Sequence, residues 1–116
     1  MMAEMTEKGT LPVGIEAGGI VHREYELRPG TIADHIEAER DGFTEGSSIA
    51  NLVFIYSREL VRLGTLPKGN ITPQVLSTMH IDDYNELAAA RERLSQRLKS
   101  FRGADKANAG VSGGAS

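Results

Sequence analysis

ITPQVLSTMHIDDYNELAAARERLSQRLKSFR, residues 71–102, holds two helix starts in succession and then the longest run of good helix formers in the chain. Thr72 precedes Pro73, whose fixed φ and missing N–H suit the first helical position, and Ile71 is spaced to pack on Leu76 as a hydrophobic staple. Asp83 and Glu86 form a D-x-x-E start for a second, longer helix, with both charges near the positive end of its dipole. Tyr84, Leu87, Leu94, Leu98 and Phe101 then recur at helical spacing, leaving Glu86, Arg93, Gln96 and Lys99 to face water. Arg91 interrupts this stripe. Its guanidinium either meets an acidic group of a partner or runs its stem along the core while the charge reaches solvent.

Upstream lies SSIANLVFIYSRELVRLG, residues 47–64, which reads as a helix capped by Ser47 or Ser48 and closed by Gly64. Its main stripe is Ile49, Leu52, Val53, Tyr56, Leu60 and Leu63. Phe54, Ile55 and Val61 fall outside it, so more than half of the circumference is apolar, as in a central helix or one half buried in a partner. Before it, Thr31 and Asp34 mark a short helix edged by Ile32 and Ile36 and stopped at Gly42. Further back the apolar period changes to two: Leu11, Val13 and Ile15, the turn Ala17-Gly18-Gly19, then Val21, Tyr25 and Leu27. That alternation about a Gly-Gly pair predicts a β-hairpin, with Pro12 on an edge strand and Arg28-Pro29-Gly30 as the stop.

The 116 residues allow one domain with a small core, thin in bulky side chains because aromatics make up 5% and Trp is absent. With no cysteine there is no disulfide framework and no thiolate metal site. No run has the length of a membrane span or of a signal-peptide core, so a soluble, unsecreted chain is expected. The net charge of −3 is unevenly spread: residues 1–45 carry ten acidic and four basic side chains, residues 91–116 two acidic and six basic. Opposite ends of the chain are thus complementary in charge. The expected organisation is a flexible N-terminus at 1–9, a single domain at 10–102 and a disordered Gly/Ser/Ala-rich tail at 103–116. The fold class is α+β: an N-terminal β-hairpin or small antiparallel sheet followed by three to four helices, the last one long.

Reaction chemistry is not evident. His22, Glu24 and Glu26 alternate along a strand as solvent-facing residues do, and lack a second cluster to complete a metal shell. His35 and Glu39 make a surface i,i+4 pair, while His80 beside Asp82 and Asp83 reads as helix capping. No Lys-Ser/Thr follows Gly18-Gly19, so it is no phosphate loop. Arg91, Arg93, Arg97, Lys99 and Arg102 could meet phosphates, against an acidic whole with few aromatics for stacking on bases.

Three stretches carry a family likeness: LPVG with its Gly turn and HREYELRPGT, then IADHIEAE, and above all LGTLPKGNITPQVLSTMHIDDYNELAAARERL. In the last, Ile71-Thr72, Leu76, Asp83-Tyr84-Asn85, Leu87, Ala90 and Leu94 follow a pattern of short helix, aspartate-led break and final helix. Together, over about Thr10 to Leu98, these resemble the small tail assembly chaperones of Mu-like and related long-tailed phages; the Gly/Ser-rich tail has no match in that pattern. The resemblance implies a non-enzymatic factor in the cytoplasm of the infected bacterial host, without cofactor or metal. Such a factor binds the tape-measure protein and keeps it soluble while the tail tube polymerises. Implied partners are that protein and, secondarily, the chain itself or a frameshift-extended form, with no nucleic acid and no membrane. The residues expected to form the partner surface are Phe54, Ile55, Tyr84, Leu87, Arg91, Leu94 and Leu98. The alternatives are a minor structural tail or baseplate protein of the virion and, after it, a small nucleic-acid-binding regulator.

Overall fold

The hairpin expected about Gly18-Gly19 forms, with strands reaching from Glu7 to Leu27, and it gains a third strand. The structure, a computed structural model, describes residues 5–109. Strands β1 (Glu7–Ala17), β2 (Ile20–Leu27) and β3 (Leu60–Leu63) form an antiparallel sheet in the order β1-β2-β3. Helices α1 (Ile32–Arg40), α2 (Ser48–Glu59), α3 (Pro73–Leu76) and α4 (Ile81–Ala109) complete an α+β fold. Gly18 and Gly19 both take positive φ, 64° and 78°, in the two-residue turn that closes Ala17 against Ile20.

Three boundaries and the facing of one side chain differ from expectation. The first strand starts at Glu7 rather than after residue 9, because Glu7 is held by Arg93 and Arg97 of α4 and Thr6 donates to Glu26; these polar bonds leave no apolar signal. Residues 60–63 are strand rather than helix. Lys68 ends α2 by donating from Nζ to the carbonyls of Ser57 (2.9 Å) and Leu60 (2.6 Å), and Leu60 and Leu63 turn into the core as β3 pairs with β2. Burial lowers the pKa of that lysine. Val13 faces outward although Leu11 and Ile15 are buried, since the register shifts between Thr10 and Ile15 and Gly14 adopts φ 101°. The backbone of α4 continues past Arg102 to Ala109, into the segment assigned to the tail; residues 110–116 of that tail, and residues 1–4 of the N-terminus, lie outside the described residues.

The main core joins the inner face of the sheet (Leu11, Ile15, Tyr25, Leu27) to α2 and to the first half of α4. Val53 and Tyr56 of α2 enter it, while Phe54 and Ile55 pack with Ala38 of α1 in a smaller cluster on the other side, so α2 is buried on two faces. Ile71 and Leu76 bring α3 into the main core, and Thr72 caps α3 by accepting the Val75 N–H.

What seats α4 on the sheet is Asp83. Its carboxylate is fully buried and accepts the N–H groups of Val13 (2.8 Å) and Gly14 (2.9 Å), two donors that the β1 bulge releases from the ladder. The capping expected of Asp83 falls instead to His80, whose Nδ1 accepts the Asp82 N–H at 3.0 Å. One turn further, Glu86 accepts from the Tyr25 hydroxyl rather than facing water, and Arg93 bridges Glu86 to Glu7. Asp83→Ala leaves two inward N–H groups without an acceptor and is expected to lower unfolding free energy by about 2–4 kcal/mol, with Asp83→Asn losing about half as much. Urea unfolding followed by far-UV circular dichroism measures both.

Candidate functional site

α4 is the longest element described. Its 29 residues span roughly 43 Å at 1.5 Å per residue, and the molecule measures 53 × 30 × 26 Å. The side chains on its inner face change along its length: Asp83, Leu87, Ala90 and Leu94 are buried, Leu98 is half-buried and Phe101 is 52% exposed. One helical stripe therefore begins as core and ends as surface.

Two depressions flank the point of change, and the loop Arg28-Pro29-Gly30-Thr31 forms a wall of both. The first, about 550 Å³, lies between that loop and α4, with Ile32, Leu52, Tyr56, Leu94 and Leu98 as its apolar lining and Arg91, Glu92 and His35 among its polar groups. The second, about 1170 Å³, has Met5, Pro29, Ala33, Leu98 and Phe101 as its apolar part and Arg28, Arg58, Arg97 and Arg102 around it. Leu98 lines both. Ile32, at the side of the first, is 73% exposed.

The wall loop is held by ion pairs that reach beneath it. Arg28 grips Asp34 through two bonds (3.0 and 2.8 Å), Asp34 also accepts the Thr31 N–H at the start of α1 (2.9 Å), and Arg58 approaches it at 3.8 Å. Glu59, at the end of α2, is wholly buried and takes Nε of Arg91 at 2.9 and 3.1 Å. A Cβ at Gly30 would collide with the Glu59 Oε2, so a larger residue there would have to displace this buried, Arg91-bound carboxylate. Burial raises the Glu59 pKa in spite of Arg91, whereas the bond to Glu59 holds Arg91 as a cation. Ionising Glu59 thus opposes folding as pH rises through its pKa. Burial and the neighbouring Tyr84, an edge-on ring 5.7 Å away, push the Tyr56 hydroxyl up to about 12.

The expected partner residues separate into two groups. Phe54, Ile55, Leu87 and Leu94 are core and are closed to a partner in this fold, because the two faces of α2 and the first turns of α4 are spent on the sheet and on α1. Tyr84 is half-buried against Tyr56, and Arg91 turns inward to Glu59. Leu98 remains at the surface of the grooves. Sequence reasoning missed Arg28 and Arg58, which join Arg97 and Arg102 at one place and share no sequence motif with them; Arg97 and Arg102 were singled out only as possible phosphate contacts, and Phe101 was visible in the stripe but unassigned. His22 is likewise misplaced by the alternation: it is buried, its Nε2 within 3.1 Å of the Ala17 carbonyl and its Nδ1 accepting the Thr65 N–H, and a Cβ on Gly64 (φ 57°) would collide with its ring. Glu24 stays exposed and pairs with Arg62.

Arg28 and the Thr31 N–H hold the Asp34 carboxyl at about 2, against an ordinary 3.8. A depressed carboxylate stabilises the fold fully above its unfolded pKa and loses that contribution as pH falls from about 4 to 2. Asp34→Asn is therefore expected to cost about 2 kcal/mol at neutral pH, and its stability should fall less steeply than that of the parent chain between pH 4 and 2 in a series of urea titrations. No protein-family model, curated protein or solved structure matches the chain.

Proposed function

We propose that this chain is a non-enzymatic tail assembly chaperone of a long-tailed phage, working in the cytoplasm of the infected host and binding the tape-measure protein while the tail tube forms. The observation that supports this reading most directly is the uncovered end of the α4 stripe, Leu98 and Phe101, standing over two open grooves. A long helical chain awaiting its tube exposes apolar stripes of its own, and such a stripe fits a groove of this kind by helix-in-groove packing.

Of the residues that carry the family likeness, Ile71, Leu76, Asp83, Leu87, Ala90 and Leu94 are buried, Thr72 and Tyr84 are half-buried and Asn85 is exposed, so most of them serve the core and the α4 clamp, and in this reading recognition falls to the residues beyond them. The energetics suit a factor that must let go. Covering what is still exposed of Leu98, Phe101 and Ile32 is worth about 1–2 kcal/mol each, and association consumes several kcal/mol of that sum. Apolar contact alone thus holds a partner weakly and reversibly. Among the described residues no helix is long and apolar enough to cross a membrane.

Co-expression with the tape-measure protein from the same phage is expected to keep that protein in the soluble fraction and to retain it on the tagged chain. A tape-measure protein that stays insoluble and unretained would overturn the reading, and abundant peptides of this chain in purified virions would favour a structural tail component instead.

A further inference from the structure

The larger groove is a cationic site on an anionic protein. The chain has 13 Lys and Arg against 16 Asp and Glu, yet Arg28, Arg58, Arg97 and Arg102 line this one depression with Asp34 as the carboxylate among its lining residues. Asp34 is buried and paired with Arg28 and Arg58, and Arg97 is paired with Glu7, so four guanidinium groups stand against the two carboxylates of Asp34 and Glu7. Between the cations the surface is apolar: Met5, Pro29, Leu98 and the exposed ring of Phe101. Arg58 stands at the end of α2 and Arg102 on α4, so the positive groups come from different elements of the wall.

We infer that this groove takes an amphipathic helix whose apolar stripe is flanked by carboxylates. The stripe covers Leu98 and Phe101, and the flanking Asp or Glu side chains meet the guanidinium groups. A cation-flanked helix of equal hydrophobicity is repelled by the same arginines, so the charge pattern selects among apolar helices that the floor alone would accept equally. The apolar floor distinguishes this site from a phosphate track, which needs solvated cations along a backbone and base-stacking rings. The inference deepens the chaperone reading and rests on it for the source of the helix; the chemistry of the groove stands apart from that source.

Labelled peptides of about 20 residues, long enough to form a helix on binding, test it by fluorescence anisotropy with the full chain. One carries a Leu stripe flanked by Glu, and a second carries the same stripe flanked by Lys. The expected result is binding of the Glu peptide that weakens with salt, at least tenfold weaker binding of the Lys peptide, and at least tenfold loss in the double variant Phe101→Ser, Arg102→Glu. Arg58→Glu, on the other wall, should lose affinity as well; both variants alter exposed positions, and circular dichroism checks that they fold. Equal affinity for both peptides, or parental affinity in both variants, overturns the inference. So does duplex DNA that outcompetes the Glu peptide, or a dimer of the parent chain that dissociates in the double variant, since the occupant would then be nucleic acid or a second copy. If the Glu peptide binds as expected but the tape-measure protein is not retained, the groove assignment stands and the chaperone reading falls. If parent and variants retain that protein equally, the reverse holds.

Discussion

A carboxylate bonded to two consecutive backbone amides determines where the longest element of this protein lies. The β1 bulge turns the Val13 and Gly14 N–H groups out of the ladder, and Asp83 in the first turn of α4 accepts both. Two inward donors without an acceptor would be costly, and so would a buried carboxylate without donors. Each defect is resolved by the other. The pairing fixes both the position of the α4 start and its rotation, because only one face of the helix presents Asp83, and Leu87, Ala90 and Leu94 follow on that face into the core. Tyr25 to Glu86 and Arg93 to Glu7 then hold the next turns against β2 and β1. From there the direction of the helix past Leu94 is set, and with it the places of Leu98 and Phe101.

The opposite wall of the grooves is organised by the end of α2. A helix of this apolarity has no internal reason to stop at Glu59. It stops because the Lys68 ammonium collects the carbonyls of its last turn and because Leu60 and Leu63 are worth more as strand residues beside Tyr25 and Leu27. The switch from helix to strand leaves Glu59 buried, where it needs a cation, and Arg91 provides it from α4. Gly30 is the point at which the loop clears that pair. Arg91, the interruption in the apolar stripe, is therefore satisfied within the chain, and its fixed guanidinium lets α4 pass close to a buried acid.

Local signals in the sequence were readable where local chemistry decides. Gly18-Gly19 fixed the hairpin turn, Ser47 and Thr72-Pro73 the starts of α2 and α3, and the stripe of residues 84–101 the course of α4. What could not be read depends on partners far along the chain. The period-two alternation gave Val13 and His22 the wrong faces, since a bulge answering an acceptor seventy residues away is invisible in a window of ten. The strand at 60–63 was hidden because its residues continue the helical stripe of α2, and only pairing with β2 turns them to another conformation. For the site, the same stripe was read correctly as apolar, but it was assigned to a partner from Tyr84 to Leu98 and not at Phe101, whereas its inward residues are buried as far as Leu94 and Phe101 is the exposed end. Of the arginines around the larger groove, Arg97 and Arg102 showed as part of the basic last helix, but their meeting with Arg28 and Arg58 gave no signal, since these lie far apart in the chain.

The division of that stripe separates stability from recognition on a single helix. Up to Leu94 each inward side chain is enclosed by the sheet, α2 or α3, so changes there act first on folding. Beyond it, Leu98 is half-buried and Phe101 is exposed, and changes there act on whatever the grooves hold. A chain short of aromatic residues and with a small core has little stability to spare. In such a chain an apolar ring left half in water, at the end of a rigid helix and ringed by guanidinium groups, is a standing cost to solubility that a docked acidic helix relieves. The negative charge concentrated in the first 45 residues makes the chain anionic as a whole, while four arginines gather at this groove. Charge there steers an acidic partner to the place where apolar contact then holds it.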